Sequence, residues 1–484
     1  MNRRRQALLA AGLFAGVWAV AVAVRWTRLP EASALGDSLG PWLVAARGPW
    51  QTRPHAPPYG WLLAVPHALI LSMARDLWSA FAAIRVVDAM VAPVVALAVL
   101  RRGRSPWRAL AAGLLLAFDP GLIDTATSGA EAYQAPVAIS MVVLATTAGR
   151  ARWGPWLAGG AFAWALMCHP LSLVAVPLLA RVRWRRSPAA VWATGLLVLP
   201  HAWSLARAAG GAASESPSLP SLAFQAWVDQ AGPVVGVFAL AALGVLRMPR
   251  MRLPVGLGAV LLVLAGTRLG YLRDHHVRLL SPPLTMGLAA VPGPLSLGAV
   301  ALTARWPTNP ATRRGGDRRP GSLGLLHKVG STLLSARTPG RPMLVDGATD
   351  HGVLAVEPGG LLLDLSLRGV PPDQLTTTDD GDVVIILSGQ RHHIWLDSPA
   401  SHDLERIGGR DTWTLYMGRP DQLRAWSVAD CERRREAGQP APRVGGAWDG
   451  LALFHPELGA EAVDWWACAR DSPAAAQQPT AELQ

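Results

Sequence analysis

Charged residues are scarce in this chain of 484 residues. Asp, Glu, Lys and Arg together make up 16% of it, against about 25% in a typical soluble protein. The deficit falls on residues 1–304, where long runs carry no charge, whereas residues 305–484 are rich in Arg, Asp and Glu. A single soluble globular domain is therefore excluded. The sequence indicates a membrane part followed by a soluble part of ordinary domain size.

Lysine and cysteine are scarce as well. Lys328 is the only lysine, so arginine supplies almost all of the positive charge behind a net charge of +12. No zinc-finger spacing or RNA-binding signature accompanies this charge, so we predict no nucleic-acid partner. The three cysteines contain no C-x-x-C metal pattern. Cys168 lies in an apolar run, which predicts an inert buried thiol. Cys431 and Cys468 would form a disulfide if they faced an oxidising compartment.

Long apolar runs fill the first part. MNRRRQALLAAGLFAGVWAVAVAVRW starts with three arginines and is uncharged from Gln6 to Val24, which predicts an uncleaved spanning helix with a cytoplasmic N-terminus. Further apolar runs follow at about 60–73, 81–100, 107–123, 132–149, 153–167, 170–180, 188–206, 227–246, 253–270 and 279–304. Arginine-rich connectors separate some of them: RRGRSPWR (101–108), GRARW (149–153), RVRWRR (181–186) and RMPRMR (247–252).

Positively charged connectors belong on the cytoplasmic side of a membrane. Placing all four there gives a map of about ten spans, provided that 60–73 lies at the interface, because it is short for a span. The map puts five segments on the outer side: 25–80, 124–131, 168–170, 207–226 and 271–278. These segments hold Asp37, His55, Asp124, Glu131, His169, Asp274, His275, His276 and Arg278. The predicted site therefore faces outward.

The predicted fold class is a polytopic α-helical membrane protein with a C-terminal soluble α/β domain. Its predicted parts are a transmembrane domain over 1–304 with outer-loop juxtamembrane helices at about 34–75, an Arg/Gly/Pro-rich linker over 305–340, the soluble domain over 341–470 and a disordered tail over 471–484. RPMLVDGATDHGVLAV, GGLLLDLSLRG and GDVVIILSG predict its buried strands.

The side of the membrane that this domain occupies stays open at the level of sequence. An even number of spans and the arginines of 305–319 place it inside, whereas the pair Cys431 and Cys468 places it outside.

The order of several short motifs resembles the GT-C superfamily of polytopic glycosyltransferases, in the bacterial branch of aminoarabinose transferase and protein O-mannosyltransferases. The motifs are a basic start and one helix, an outer loop with Asp37, HAPPY (55–59), FAAIRVVDAMVAPVVALAVLRRGR, LAAGLLLAFDPGLIDTATSGAEAYQAPVAI and HHVRLLSPPLTMGLAAV. The last resembles an R-Y-L-L-P-x-x-P segment, with Leu279 where Tyr is usual. The resemblance covers roughly residues 1–304 and rests on the order and spacing of these motifs, not on any single one.

The resemblance implies a bacterial inner-membrane enzyme that takes a sugar from a polyprenyl-phosphate donor at the outer leaflet and inverts the anomeric centre. The acceptor hydroxyl then needs a carboxylate base, for which Asp37 is the candidate. Glu131, or alternatively Asp124, matches the second-loop acid that helps to bind a metal or the acceptor. The acceptor itself is not indicated. A divalent metal ion on Asp37 and Glu131 is the one cofactor that the resemblance leaves open.

The departing phosphate needs a cation. Arg278, assisted by His275 or His276, is the candidate, since a guanidinium donates paired hydrogen bonds to phosphate. His55 and Arg53 occupy the H-x-P-P-Y position, which shapes the site in relatives.

Each candidate has a structural alternative. Asp37 and Glu131 would serve equally well as helix caps, and Arg278 would serve as a snorkelling residue in contact with lipid headgroups. Relatives often carry Asp-Glu where this chain has Asp37-Ser38, so an inactive GT-C-like scaffold is an alternative function. A transporter is a weaker alternative, because transporters place their charges near the bilayer midplane and these acids fall in outer loops.

Overall fold

A computed structural model describes most of the chain. The described residues are 3–34, 39–46, 61–102, 105–123, 134–149, 151–209, 234–269, 274–305, 321–349, 356–376, 380–388, 398–410, 413–439 and 443–445. Contacts divide the chain into two compact units. The helical unit comprises Met1–Leu29, Gly48–Ile70 and Phe81–Arg313, and the sheet unit comprises Pro30–Arg47, Leu71–Ala80 and Arg314–Gln484. Each unit is thus assembled from segments that are distant in sequence.

Helices dominate the described residues. The α-helices are α1 (Arg3–Trp26), α2 (Gly40–Ala46), α3 (Trp61–Leu71), α4 (Leu77–Asp88), α5 (Val91–Arg101), α6 (Pro106–Phe118), α7 (Ala135–Ala145), α8 (Trp153–Cys168), α9 (Val176–Leu179), α10 (Pro188–Ala209), α11 (Val234–Leu246), α12 (Pro249–Leu269), α13 (Asp274–Val277), α14 (Ser281–Thr285), α15 (Gly293–Arg305), α16 (Leu323–Ala336), α17 (Pro358–Leu367) and α18 (Pro420–Glu436). Short 3₁₀ helices span Leu29–Glu31, Pro170–Ala175, Trp184–Arg186, Arg278–Leu280, Met286–Ala290, Pro372–Gln374 and Pro399–His402.

Two helical stretches among the described residues, Arg4–Trp26 and Leu77–Arg101, are long and apolar enough to cross a membrane. The second joins α4 and α5 almost without interruption. Other apolar helices, such as α6 and α7, are shorter than the roughly 20 residues that a span needs. The map of about ten spans therefore stays a prediction.

Small residues allow the helices of the helical unit to pack closely. Buried alanines and valines of α5, α6 and α7 form the main core with residues of α1 and α8. At Gly113 of α6, an added Cβ would lie 2.8 Å from Cγ1 of Val17 in α1. This spacing is typical of helix interfaces in membranes, where close backbone approach replaces the hydrophobic driving force.

The sheet unit is built around five strands. These are β1 (Met343–Thr349), β2 (Asp382–Ser388), β3 (Glu405–Arg410), β4 (Trp413–Gly418) and β5 (Arg443–Gly445). Their order is β3-β4-β2-β1-β5, with β1 parallel to β2 and the other pairs antiparallel. The strands predicted from RPMLVDGATDHGVLAV and GDVVIILSG are present as β1 and β2, and the small C-terminal sheet agrees with the predicted α/β arrangement.

The strand predicted from GGLLLDLSLRG is wrong, because these residues belong to helix α17. Parallel neighbours such as β1 and β2 need a crossover connection, which α17 provides. Leucine favours a helix over a strand, and Pro358 occupies the first turn, where proline suits a helix start. Periodicity does not separate a short buried helix from a buried strand.

Part of the segment assigned to the linker over 305–340 is a regular helix. Residues 323–336 form α16, whose N-cap Ser322 accepts a hydrogen bond from the Leu325 amide at 3.2 Å. The Arg/Gly/Pro-rich composition is found on both sides of this helix, in 305–322 and 337–340. The predicted disordered tail over 471–484 lies outside the described residues.

The sheet unit also contains two segments that the sequence map assigns to the first outer loop. Ser33 and Ser322 form an antiparallel bridge, in which the Ala34 amide donates to the Gly321 carbonyl at 2.7 Å. Trp42 of α2 is fully buried. Residues 30–34 and 39–46 are thus an integral part of the sheet unit.

Asp364 connects the second of these segments to α17. Its Oδ1 accepts a hydrogen bond from the Leu77 amide at 2.8 Å, and its Oδ2 lies 2.7 Å from Nε of Arg368. Burial raises the pKa of Asp364 to about 6, although the Leu77 amide and Arg368 favour its ionised form. The start of α4 therefore depends on a carboxylate almost 300 residues away in sequence for one of its first-turn hydrogen bonds.

Candidate functional site

The structure describes only part of the predicted site. Arg278 and His276 are described in full, and both are buried. The backbone of His275 lies in α13, but its side chain lies outside the described residues. The other predicted site residues also lie outside the described residues: Asp37, Arg53, His55, Asp124 and Glu131.

Arg278 is held in a buried ion pair. Its Nη1 donates to Oδ1 of Asp119 at 3.1 Å, and the two side chains are 1% and 0% exposed. The same carboxylate oxygen accepts a hydrogen bond from the Gly121 amide at 3.0 Å. A Cβ at Gly121 would overlap the guanidinium, so glycine leaves the room that Arg278 occupies. This arrangement does not fit a snorkelling arginine, whose charged head reaches water.

Three further buried charges lie near this pair. Arg85 and Asp88 of α4 form an ion pair at 2.9 Å and are 2% and 3% exposed. Arg25, near the end of α1, donates to the carbonyls of Ala21 at 3.2 Å and Ala117 at 3.5 Å. Its charge interacts with those of Asp88, Arg85 and Asp119.

We call these five residues the buried charge cluster: Arg25, Arg85, Asp88, Asp119 and Arg278. It contains three arginines and two aspartates, all of them buried. Charges inside an apolar helical bundle are energetically expensive and mark functional sites by default. Guanidinium groups suit an anionic ligand.

His276, two residues before Arg278, contacts a second histidine, His169. The ring centroids of His169 and His276 are 4.4 Å apart, and both side chains are buried. Nδ1 of His169 accepts a hydrogen bond from the Leu171 amide at 3.2 Å and so caps the 3₁₀ helix that follows α8. His169 thus lies at the break between α8 and this 3₁₀ helix, and its ring contact with His276 is one that the sequence did not indicate.

A second polar contact lies at the start of α7. Gln134 Nε2 and His67 Nε2 are 3.4 Å apart, and His67 Nδ1 lies 2.8 Å from the Leu63 carbonyl oxygen. Both side chains are fully buried. Gln134 directly follows the undescribed stretch 124–133, which contains Asp124 and Glu131.

The ends of the helices relate this site to the topology map. Helix α6 begins within the connector RRGRSPWR and ends next to Asp119. Helix α8 begins at the last residue of the connector GRARW and ends next to His169. The connectors are predicted to be cytoplasmic, so the map assigns the opposite helix ends, and with them the buried charge cluster, to the outer side.

Sequence reasoning missed four members of this cluster: Arg25, Arg85, Asp88 and Asp119. Each is a charged residue in or next to an apolar run, and charges inside an apolar helical bundle mark functional sites by default.

A metal site does not emerge from the described residues. Among them, no group of three His, Cys, Asp or Glu side chains is arranged to hold a metal ion. The two acids of the cluster, Asp88 and Asp119, contact arginines instead. These residues do not fit a metal, and the predicted ligands Asp37 and Glu131 lie outside the described residues. No step is therefore derived through a metal ion.

Comparisons with known proteins agree with this architecture. No protein-family model and no curated protein matches the chain. The structure is similar to the crystal structure of ArnT from Cupriavidus metallidurans in the apo state, with 14% identity and a TM-score of 0.55, over 84% of this chain and 98% of that one. A crystal structure of ArnT from the same organism bound to undecaprenyl phosphate gives a TM-score of 0.49 at 14% identity and the same coverage. The GT-C-like resemblance of the sequence is confirmed at the level of the fold: the chain has an ArnT-like fold, mostly helical with a small C-terminal sheet.

Proposed function

We propose that this protein is an integral-membrane glycosyltransferase of the GT-C type. It transfers a sugar from a polyprenyl-phosphate-linked donor to an acceptor at the outer face of the bacterial inner membrane, with inversion. The observation that carries the proposal is the buried Asp119–Arg278 pair, within the buried charge cluster, in a chain with an ArnT-like fold.

The guanidinium of Arg278 matches the chemistry of the donor. When the bond between sugar and phosphate breaks, negative charge grows on the phosphate oxygens, and a preorganised cation lowers the free energy of that transition state. Asp119 and the space at Gly121 hold the Arg278 guanidinium in one place, so little reorganisation is needed when the charge develops. His276, two residues before it, is the candidate for a further hydrogen bond.

The acids of the outer loops supply the remaining chemistry in this proposal. Asp37 accepts the proton of the attacking hydroxyl as a general base. Glu131 binds the acceptor, and Asp124 is its alternative. His55, Arg53 and His275 shape the donor site. A catalytically inactive scaffold is the competing proposal, because this chain has Ser38 where relatives often carry a second acid beside the first.

The sheet unit lies on the outer side in this proposal. Residues 30–34 and 39–46 belong to it and come shortly after α1 in the sequence. The basic start of α1 predicts a cytoplasmic N-terminus. Cys431 is disulfide-bonded, and disulfides persist in oxidising compartments such as the bacterial periplasm. Cys468, its predicted partner, lies outside the described residues.

A cysteine placed at Ser401, an exposed residue of the sheet unit, tests this location. We expect a membrane-impermeant maleimide to label Ser401→Cys in intact spheroplasts, whereas Ser105→Cys, in a predicted cytoplasmic connector, should be labelled only after permeabilisation. The reverse pattern would place the sheet unit in the cytoplasm.

Deletion of the gene tests the transfer itself. Cells that lack the protein are expected to accumulate a polyprenyl-phosphate sugar and to lose one glycan modification of the envelope, because the donor is no longer consumed. Mass spectrometry of extracted lipids and envelope glycans measures both changes, and a plasmid copy should reverse them. Unchanged donor and glycan profiles would contradict the proposed function.

A further inference from the structure

A second polar region lies in the helical unit, away from the buried charge cluster. It is a cavity of about 850 Å³ at the ends of α5 and α7 and the beginnings of α8 and α12. Helix α8 starts at this cavity and ends 16 residues later beside His169, which is about 24 Å along a helix axis. We call it the arginine cavity, because six arginines line it: Arg101, Arg102, Arg181, Arg183, Arg247 and Arg250.

The lining of the arginine cavity, as far as the structure describes it, is positively charged. The described residues that line the arginine cavity include no Asp or Glu. In the sequence, the stretches 89–118, 132–214 and 231–273, which supply the whole lining, contain no acid at all. Helices α8 and α12 also have no acid in their first turns, so their partial positive ends add to the field.

Two of the arginines are held in place by neighbours. Nη2 of Arg102 contacts Oγ1 of Thr146 at 3.3 Å and Sδ of Met251 at 3.2 Å. The guanidinium of Arg101 lies 5.0 Å from the ring centroid of Trp153. The rim of the cavity is therefore partly organised without a bound ligand, which reduces the entropy lost when a ligand binds.

Membrane topology accounts for positive connectors but not for their arrangement around a cavity. Arg152, Arg185, Arg186 and Arg252 belong to the same connectors but do not line the cavity. A cavity of this volume falls in the range of small-molecule sites, about 300–1,000 Å³. Arginine forks bind phosphate oxygens in pairs.

We propose that the arginine cavity is a binding site for a phosphate-bearing anion, separate from the outer site. The ligand is either the headgroup of an anionic phospholipid, as in basic pockets between membrane helices, or a soluble phosphate compound. Phosphate is the chemistry that both share, and the site would hold it on the cytoplasmic side of the topology map.

The test uses the full-length protein in phosphatidylcholine nanodiscs. Pyrophosphate binding is measured by isothermal titration calorimetry, and retention of phosphatidylglycerol is measured by native mass spectrometry. The cavity variant is Arg181→Gln/Arg183→Gln/Arg247→Gln/Arg250→Gln. The matched control is Arg152→Gln/Arg185→Gln/Arg186→Gln/Arg252→Gln, which removes the same number of charges from the same two connectors and from GRARW.

We expect the cavity variant to bind either probe at least about tenfold more weakly than the wild type, since charge-assisted hydrogen bonds to phosphate are lost. The control variant should bind like the wild type. Thr147→Glu, which keeps every arginine but adds a carboxylate to the lining, should weaken binding in the same way. It serves as the test if the cavity variant fails to insert in the membrane.

The two probes separate the sources of phosphate. Binding of phosphatidylglycerol alone supports the proposal with a lipid headgroup, and binding of pyrophosphate alone supports it with a soluble anion. An equal loss in the control and cavity variants would overturn the proposal, and so would a wild type that binds neither probe. The arginines would then serve membrane topology alone.

Discussion

Arg278→Ala is expected to reduce sugar transfer by at least about 100-fold, because it removes the buried cation proposed to meet the departing phosphate. The same substitution leaves Asp119 as a buried carboxylate without its ion pair, at 0% exposure. Breaking a buried pair by removing one partner destabilises a protein by about 3–5 kcal/mol. A loss of transfer by this variant alone therefore does not distinguish a missing cation from a damaged fold.

Gly121→Ala separates the two effects. A Cβ at this position would overlap the guanidinium of Arg278, so the side chain must move while its charge remains in the protein. We expect transfer to fall nearly as far as in Arg278→Ala, with a smaller loss of stability. Arg108→Ala is the control: this arginine lies at the opposite end of α6 from Asp119 and donates to the Ala289 carbonyl at 3.0 Å.

Consumption of the lipid-linked donor, followed by mass spectrometry, measures transfer, and thermal unfolding of the purified protein measures stability. An Arg278→Ala protein that is folded and still transfers sugar would contradict the role proposed for this residue. Equal losses of transfer in Arg108→Ala and Gly121→Ala would show that general damage to the helical unit, and not the position of one guanidinium, lowers the activity.

The helical character of residues 1–304 and the small C-terminal sheet could be predicted from the sequence, because apolar runs are local signals. The order of short motifs carried the GT-C-like resemblance, and the β-branched runs of β1 and β2 predicted strands. α17 and α16 were not predicted as helices. The first is a short apolar run of leucines, for which periodicity is ambiguous, and the second follows directly on an Arg/Gly/Pro-rich stretch.

The partners of the site residues could not be predicted, for a physical reason. Asp119 and Arg278 are 159 residues apart in sequence, and Leu77 and Asp364 are 287 apart. Neither contact leaves a periodic pattern, since each depends on how distant elements pack. Sequence reasoning placed Arg278 and His276 on the outer face, but it had no means to show that Arg278 contacts an aspartate at the end of α6.

Asp37→Asn is expected to lower transfer by about 10²–10⁴-fold, the usual contribution of a general base. The residue has two candidate roles, and this substitution distinguishes them. Asparagine caps a helix about as well as aspartate does, but its amide does not accept the proton of a hydroxyl. A protein in which Asp37 only caps a helix should therefore tolerate Asp37→Asn and lose about 1 kcal/mol of stability in Asp37→Ala.

Glu131→Gln extends the same logic to the second outer acid. Glutamine keeps the length and hydrogen-bonding groups of the side chain but removes its charge, so we expect a smaller loss of transfer than in Asp37→Asn if Glu131 binds the acceptor. Raising the acceptor concentration should restore part of the rate in Glu131→Gln and none in Asp37→Asn, because weakened binding is overcome by mass action and a missing base is not.

If Asp37→Asn transfers sugar at the wild-type rate while deletion of the gene abolishes transfer, the base lies elsewhere. If neither acid variant nor the deletion changes the glycan profile, the protein is better explained as a catalytically inactive scaffold, as Ser38 in place of a second acid suggests.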